Sequence, residues 1–586
     1  MDLEQELQRG IECHKSGQLS DAVRHYRIVL TEDPANVDAL NLMSVLALTA
    51  GDGHTAASLA AAALERQPEW FLSHINLGNA LQSLGRAEEA IDSFQKAVML
   101  NPRSAEAYVN LSGALNLAGR SETAADMAVQ AIMISPDMAD AHVNFGNALL
   151  ALKSPGEAVE AYLKATQLEP ENGLAWFNMG NANAELGCFD AAIDNFRQAI
   201  ALGDSFVRQF NLANALAACL RFDEAVAAYG RALVIEPGNL DATINLAGIL
   251  RDTGRLDEAE ALLREAMSRA PDEADLHWNL SLVLLTKGDY AEGWREYEWR
   301  WRTAHFARFV RQFPSQTWRG EPLDGLSLLV HAEQGFGDAL EMCRYVPLLV
   351  PRAASVTLEC RKGLGRLFST LHPDLTVVEA GEAPLPVCDR HVALMSLPHQ
   401  MGTLLDTIPA TIPYLAVPVG AADFSDLAGA GVKVGVVWSG SATRRDNLHR
   451  SLRPHDLAVL PGCTLYSLQK GDVAAQASDL FDHGRMIDLG PRLGDFADTA
   501  AAIAALDLVI TVDTAVAHLA GALGKPVWIV LANPTSAFLW MSDRPDSPWY
   551  PSARLFRQAM PGDWSGVVGA LTQELASFAL AKASRI

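Results

Sequence analysis

Asp513-Thr514-Ala515-Val516-Ala517-His518 brings a carboxylate, a hydroxyl and an imidazole together within two helical turns. The residues before it, Asp507 to Val512, form a β-branched run too short for a core helix, so they read as a buried strand. A helical pattern follows, Gly524 stops it, and Val527 to Leu531 reads as a second buried strand. Strand, helix and strand in that order demand a parallel sheet. In such sheets ligands bind beyond the carboxyl ends of the strands, where a helix N-terminus offers unpaired N–H groups and a positive dipole. A phosphate-bearing ligand is therefore expected at Asp513 to His518. The Thr514 hydroxyl favours an anion, and His518, four residues on along the same face, can donate to a phosphate oxygen. The alternative for His518 is a structural histidine on an apolar helix. Asp513 would repel a phosphate, so it reads as a cap that orients the N–H groups.

Asparagine supplies a second chemistry in the first half of the chain. It recurs at Asn76, Asn110, Asn144, Asn178, Asn211, Asn245 and Asn279, and again three residues later at Asn79, Asn147, Asn181 and Asn214. Positions i and i+3 share one side of a helix. A primary amide offers one acceptor and two donors, matching both polar groups of a peptide backbone. A row of such amides can hold an extended polypeptide without reading its side chains. The competing reading is that each asparagine caps or packs between repeats.

The element that positions these amides repeats every 34 residues. Prolines fall at 34, 68, 102, 136, 170, 237 and 271, turn glycines at 17, 51, 85, 119, 187, 254 and 288, and small alanines at 22, 56, 90, 124, 158, 192, 225 and 259. Bulky residues follow those alanines by four, as at Tyr26, Phe94, Tyr162, Phe196 and Tyr229. The period and this order resemble the tetratricopeptide repeat (TPR). The resemblance implies an all-α superhelix of about eight helix pairs over 1–290, with the asparagines on its inner face, similar to the ladder of TPR-bearing protein O-GlcNAc transferases.

The bulk numbers limit the function classes. The 586 residues allow several domains, and 49% hydrophobic with 20% charged residues is a globular balance. A formal charge of −24, from 70 acidic and 46 basic residues, argues against nucleic acid as a partner. Seven scattered cysteines suit a reducing compartment and give no zinc signature. No apolar run approaches the ~18 residues of a spanning helix, so no membrane insertion is expected and a cytoplasmic location is.

Residues 291–321 crowd tryptophans, phenylalanines and arginines together, a pattern that fits an ordered connector with guanidiniums on rings better than a nucleic-acid platform. Beyond it the pattern turns to α/β. Strands are expected at 326–330, 356–359, 375–378 and 391–394, then at 432–438, 464–468, 486–489, 507–512 and 527–531. A proline- and glycine-rich stretch, 409–431, separates the two sets. Two Rossmann-like lobes, 322–428 and 429–565, with a C-terminal helix at 566–586, are the expected outcome.

The segments AEQGFGDAL (332–340), VGVVWSGS (434–441) and SLQKGD (467–472), with the D-T-x-x-x-H block, resemble GT-B glycosyltransferases related to the bacterial heptosyltransferases. The whole chain is similar to bacterial proteins that join TPR repeats to such a domain, some of which modify flagellin. The resemblance implies that Asp513, Thr514, Ala515 and His518 hold the phosphate of a nucleotide-sugar donor, and that Asp338 is the general base. Glu333 is a second candidate, since a nearby carboxylate raises a base's pKa. The heptosyltransferases place a lysine in the loop after the first donor-lobe strand; here Arg450 or Arg445 must stand in. Gln469 and Lys470 are expected to border the nucleotide. No D-x-D motif is present, so neither a metal nor another cofactor is expected. The leading expectation is a protein O-glycosyltransferase, inverting, with flagellin as acceptor and a CMP-nonulosonic acid as donor by resemblance. The alternatives are a transferase acting on a glycan or lipid-linked acceptor, with the repeats as an assembly module, and a non-catalytic scaffold that binds a nucleotide.

Overall fold

Four of the hairpins close where a glycine of the first helix meets an aromatic ring of the second, at Tyr26, Phe94, Tyr162 and Phe196. Gly78 in Phe71–Ser83 lies so near Phe94 in Ala87–Leu100 that an added Cβ would fall 2.5 Å from the ring, and Gly146 meets Tyr162 at 2.6 Å in the same way. The computed structural model describes residues 2–382, 384–428, 431–440, 447–533, 537–542 and 544–584. It divides into two compact units, Met1–Pro237 and Gly238–Ile586.

The first unit is a stack of seven helical hairpins, from Leu3–Lys15 to Phe222–Ile235. Successive first helices pack directly on one another, as Val37–Thr49 does on Phe71–Ser83 and Ala105–Leu117 on Ala139–Ala151. The turn glycines sit at positive φ, and where the pattern lacks one the backbone keeps the conformation: Lys153 has φ 64° and Leu220 has φ 59°.

Two more hairpins open the second unit, Leu240–Asp252 with Leu256–Arg269 and Ala274–Lys287 with Tyr290–Tyr297. The described residues thus form nine hairpins against about eight expected, because the last second helix is short and runs into the aromatic segment. Tyr290, Trp294 and Tyr297 share one core with Trp318, Leu328 and Tyr345 of the α/β region. The notional border at 290 therefore falls inside a compact unit. The connector stacks as its composition predicts, with Arg300 4.4 Å over Trp301, Arg302 4.4 Å over Trp299, and Trp299 3.7 Å from the His277 ring.

Two sheets follow, and every strand pairing within them is parallel. The first comprises β1 (Gln316–Thr317), β2 (Ser327–His331), β3 (Ser355–Cys360), β4 (Leu375–Glu379) and β5 (Arg390–Ala393), in the order β1-β5-β2-β3-β4. The second comprises β6 (Val432–Val437), β7 (Cys463–Ser467), β8 (Ile487–Asp488), β9 (Leu508–Val512), β10 (Val527–Leu531) and β11 (Ala553–Arg557), in the order β11-β10-β9-β6-β7-β8. Numbered from β6, that is the doubly wound order 3-2-1-4-5-6. β1 and β11 are edge strands that the sequence pattern did not show. The C-terminal helix Ser565–Ala583 covers the second sheet through Val567, Leu571 and Leu575. Strand order reverses between β2 and β5 in one sheet and between β6 and β9 in the other, and each reversal leaves a crevice at the carboxyl ends.

Candidate functional site

The two crevices supply one helix each to a common centre. β2 leads through Ala332–Gly335 into the helix Phe336–Met342, and β9 leads through Asp513 and Thr514 into the helix Ala515–Ala522. These helices pack against each other. A Cβ on Gly337 would stand 3.0 Å from His518 Cδ2, 3.3 Å from His518 Nε2 and 4.0 Å from the Ala515 Cα. Only glycine lets the two N-termini close to that distance. Asp338 and residues 513–518, nearly 180 positions apart in sequence, thus belong to one site.

Asp338 is half-buried, and its Oδ2 accepts from the Gly335 N–H at 2.8 Å, closing the first turn of its helix. Capping and a role toward substrate are compatible, since a carboxylate has further lone pairs. Glu333 is turned inward. Its side chain is 1% exposed, and Oε1 lies 3.3 Å from Arg300 Nη2. Burial, opposed by Arg300, pushes its carboxyl up to about 7. Glu333 is thus enclosed, whereas Asp338 keeps partial exposure.

The carboxylate that does lie under Asp338 is Glu341, which the sequence reading passed over. It is fully buried, and neither of its oxygens has a hydrogen-bond partner among the described residues. Burial raises its carboxyl well above the ordinary range; Arg344 opposes this, and Asp338 and Asp513 add to it. Its signal was available: Glu341 and Arg344 are charged residues inside an otherwise apolar helical run.

On the other side, Asp513 does not cap the helix as expected. Its Oδ2 accepts from Arg450 Nη2 at 3.0 Å and its Oδ1 from Trp540 Nε1 at 3.0 Å; the helix N-cap is Thr514, with no side-chain cap bond. Arg450 also donates to the Asp513 carbonyl, so its charge is engaged across the β6–β9 crevice. The Thr514 hydroxyl stands 3.0 Å from that of Thr511. The first N–H groups of the helix, at Ala515 and Val516, have no intrahelical partner by construction. Arg444 and Arg445 lie outside the described residues.

His518 is buried, 5% exposed, 3.0 Å from Tyr550 Oη through Nδ1 and stacked 5.3 Å from the Trp540 ring. Burial, opposed by Asp513 and helped by Arg344, holds its pKa down at about 4, so the ring is neutral at neutral pH. Gln469 departs from expectation. Its side chain is buried and clamps the end of β6, with Oε1 accepting from the Trp438 and Ser439 N–H groups at 3.2 and 3.1 Å. Its amide is thus spent on holding the β6 and β7 ends together. Lys470 is exposed and donates to the Leu493 carbonyl.

A cavity of about 570 Å³ occupies the β2–β5 crevice. Trp301, Phe309, Phe313 and Trp318 wall it, and His331, at the end of β2, stands in its lining. His331 is 5% exposed, its Nδ1 has no partner among the described residues, and burial, with Arg311 and His391 nearby, lowers its pKa to about 3. The connector is therefore a wall of this cavity as well as a join. Aromatic faces with polar edges that include Glu298, Arg311 and Arg319 can take a polyhydroxylated ring.

The asparagines of the repeats are half-buried, and much of their capacity is spent between repeats. Asn76 Nδ2 donates to Asn41 Oδ1 at 3.1 Å, Asn144 Nδ2 to the Val109 carbonyl at 2.9 Å, Asn178 Nδ2 to Asn147 Oδ1 at 2.9 Å and Asn211 Nδ2 to Asn181 Oδ1 at 3.3 Å. Tyr162 donates to Asn147 Oδ1 at 2.7 Å, and Tyr229 donates to Asn214 Oδ1. Asn245 and Asn279 belong to the second unit, where Asn279 Nδ2 bonds back to the Asp275 carbonyl of its own helix. Asn79 and Asn110 have no hydrogen-bond partner among the described residues. Packing between repeats is thus real for most of the row, and only a part of each bonded amide remains for a ligand.

Residues 14–69, 71–104, 143–205 and 221–292 match tetratricopeptide-repeat families, and residues 463–558 match glycosyltransferase family 9 (heptosyltransferase). The chain joins tetratricopeptide repeats to a glycosyltransferase family 9 domain. The family 9 match runs from β7 to β11 and contains Asp513 to His518; Asp338 and Arg450 lie outside it. The chain is 27% identical to protein FlbA of Caulobacter vibrioides over 334 residues, 51% of this chain and 54% of that protein. It spans about half the length of that curated relative. Among solved structures it is similar to the APC/C hetero-tetramer Cut9–Hcn1, with 18% identity, 45% of this chain and 52% of that one covered, and a TM-score of 0.37. It is also similar to the thermophilic TPR protein TTC0263 of Thermus thermophilus, with 26% identity, 31% and 99% covered, and a TM-score of 0.28. No described helix is long and apolar enough to cross a membrane.

Proposed function

We propose that this chain is a glycosyltransferase that moves a sugar from a nucleotide-sugar donor to a serine or threonine hydroxyl of a polypeptide. The observation that carries the reading is the contact of the Asp338 helix with the His518 helix, which sets a half-buried carboxylate beside an anion-favouring helix start. The family 9 match supports the reaction class. In this reading the donor phosphate takes the N–H groups of Ala515 and Val516, the Thr514 hydroxyl and His518 Nε2. Asp338 removes the proton of the acceptor hydroxyl as its oxygen bonds to the anomeric carbon and the bond to the phosphate oxygen breaks. One direct displacement inverts the anomeric centre. Negative charge collects on the departing phosphate, where fixed N–H donors stabilise it without reorganising. Arg450, bound to Asp513, borders the same crevice and Lys470 its outer edge. We take the reaction to be cytoplasmic and independent of metal, and activity retained in EDTA would support the latter.

The acceptor lies along the inner face of the repeats in this proposal, on the amide capacity left after the bonds between repeats. Flagellin as that acceptor, and a CMP-nonulosonic acid as the donor, rest on the family resemblance. Two observations favour a second reading, in which the acceptor is a glycan or a lipid-linked sugar. Most asparagines are engaged within the array, and the aromatic cavity at β2–β5 suits a sugar ring.

Nucleotide release from a panel of nucleotide-sugars, with and without candidate polypeptides, tests the proposal. Release stimulated by a polypeptide and reduced at least 100-fold in Asp338→Asn is the expected result, about the size of a lost general base. Release unaffected by that substitution contradicts the assignment of Asp338, and stimulation by a glycan alone favours the second reading.

A further inference from the structure

Beneath the proposed phosphate site runs a chain of phenols and one guanidinium that no motif assigned. Arg344 Nη2 donates to Tyr414 Oη at 3.1 Å, and Tyr414 Oη donates to the Leu340 carbonyl at 2.9 Å. A carbonyl can only accept, so the single Tyr414 proton is spent there. Tyr550 Oη lies 3.5 Å from Tyr414 Oη and 3.0 Å from His518 Nδ1. Its own proton has two destinations. The Tyr414 oxygen stands at the limit of a hydrogen bond and already receives Arg344; the imidazole nitrogen is half an ångström nearer.

We infer that Tyr550 is a positioning residue: its phenol donates to His518 Nδ1 and so fixes the imidazole's own proton on Nε2, the edge that faces Gly337 and the phosphate site. The inference rests on the proposed reading of that site. The other ring nitrogen has the opposite duty to Nδ1 in a neutral imidazole, so a bond that makes Nδ1 the acceptor makes Nε2–H a donor. Nε2 is the nitrogen that would stand 3.3 Å from a Cβ on Gly337, on the side where the two helix N-termini meet. The charged groups around the ring agree. Glu341 Oε2 is 3.8 Å from Nδ1, beyond a hydrogen bond, and burial raises that carboxyl well above its ordinary range. Tyr550 is fully buried, and burial with Tyr414 beside it holds its pKa well above the ordinary value, so the phenol keeps the proton it donates. Asp513 is occupied by Arg450 and Trp540. Trp540 stacks on the ring and holds its plane.

The test uses the full chain labelled with ¹⁵N-histidine, the His518 signals being those lost in His518→Gln. In the wild type, Nδ1 should show the shift of an unprotonated acceptor and Nε2 that of an N–H, unchanged from pH 6 to 8. In Tyr550→Phe both should move toward the average of two tautomers. Inorganic pyrophosphate, the probe ligand, should shift the Nε2 signal and bind about five- to tenfold more weakly to Tyr550→Phe, the size of one hydrogen bond lost. A proton found on Nδ1 in the wild type, or shifts that Tyr550→Phe leaves unmoved, overturns the inference, and the wild-type spectrum decides even if the variant does not fold. Wild-type shifts as predicted with no response to pyrophosphate would uphold the tautomer and overturn the phosphate site instead.

Discussion

Burying a neutral imidazole at His518 ties stability to pH. Its folded pKa of about 4 lies below the ordinary 6.5. Between those values the unfolded chain binds a proton that the folded chain refuses, so stability is full above about 6.5 and is lost as pH falls toward 4. From pH 7 to 5 that amounts to about 2 kcal/mol for this ring. His331, held at about 3, acts in the same direction. Glu333 acts in the opposite one: its carboxyl, raised to about 7, binds a proton more readily when folded, so its contribution grows as pH falls through that value. His518→Gln should therefore flatten the change in unfolding free energy between pH 7 and 5 by about 2 kcal/mol, read by urea denaturation at the two pH values. An unchanged slope would mean that the ring is protonated in the fold. The strand, turn and helix that hold Asp513 to His518 were legible because a β-branched run followed by cap residues leaves few other readings. Tyr550, Tyr414 and Glu341 were not, because their roles depend on which side chains the fold brings beside them.

Two helices that share no sequence motif make the site, and their contact depends on one missing side chain. Gly337→Ala would put a methyl 3.0 Å from His518 Cδ2, and the ring must shift or the helices part. Nucleotide release should fall tenfold or more, with thermal stability little changed, since the site needs sub-ångström placement and the two cores do not. Equal activity would show that the helices meet less closely than this. Within the repeats, Lys153 occupies a left-handed turn position that glycine fills elsewhere. Lys153→Gly should stabilise the protein by about 0.5–1 kcal/mol in chemical denaturation, and a loss of stability would contradict the strain argued for it. Repeat helices and buried strands could be read ahead of the structure because periods of 34, 3.6 and 2 leave strong traces. The two-residue β1 and the edge strand β11 left none: one is too short for a pattern and the other mixes arginines with apolar residues. The ninth hairpin was missed for a related reason, since Tyr290–Tyr297 has given up the repeat's alanine for aromatic packing in the α/β core.

At the scale of the molecule, the chain divides into a repeat unit and a unit holding both sheets, with the last two hairpins built into the second. Under the proposed function, variants can address the two units one at a time. Asn79 and Asn110 have no partner among the described residues, so Asn79→Ala with Asn110→Ala removes amides without breaking bonds between repeats. That double variant should raise the KM for a polypeptide acceptor about tenfold while donor turnover in the absence of acceptor stays the same. An unaltered KM would leave the array as an assembly module. The 34-residue repeat and the α/β order were visible in the sequence, but the ninth hairpin and the engagement of most asparagines with one another were not. Constant phase alone cannot distinguish an amide that faces a ligand from one that faces the next repeat.

The central claim is that a polypeptide hydroxyl receives a sugar at Asp338. Intact-mass spectrometry of a candidate acceptor polypeptide, co-expressed with either the wild-type chain or Asp338→Asn, tests it most directly. The account predicts one or more added masses of a single sugar with the wild type and none with the variant. An acceptor equally modified in both, or a sugar found only on a glycan, would contradict it.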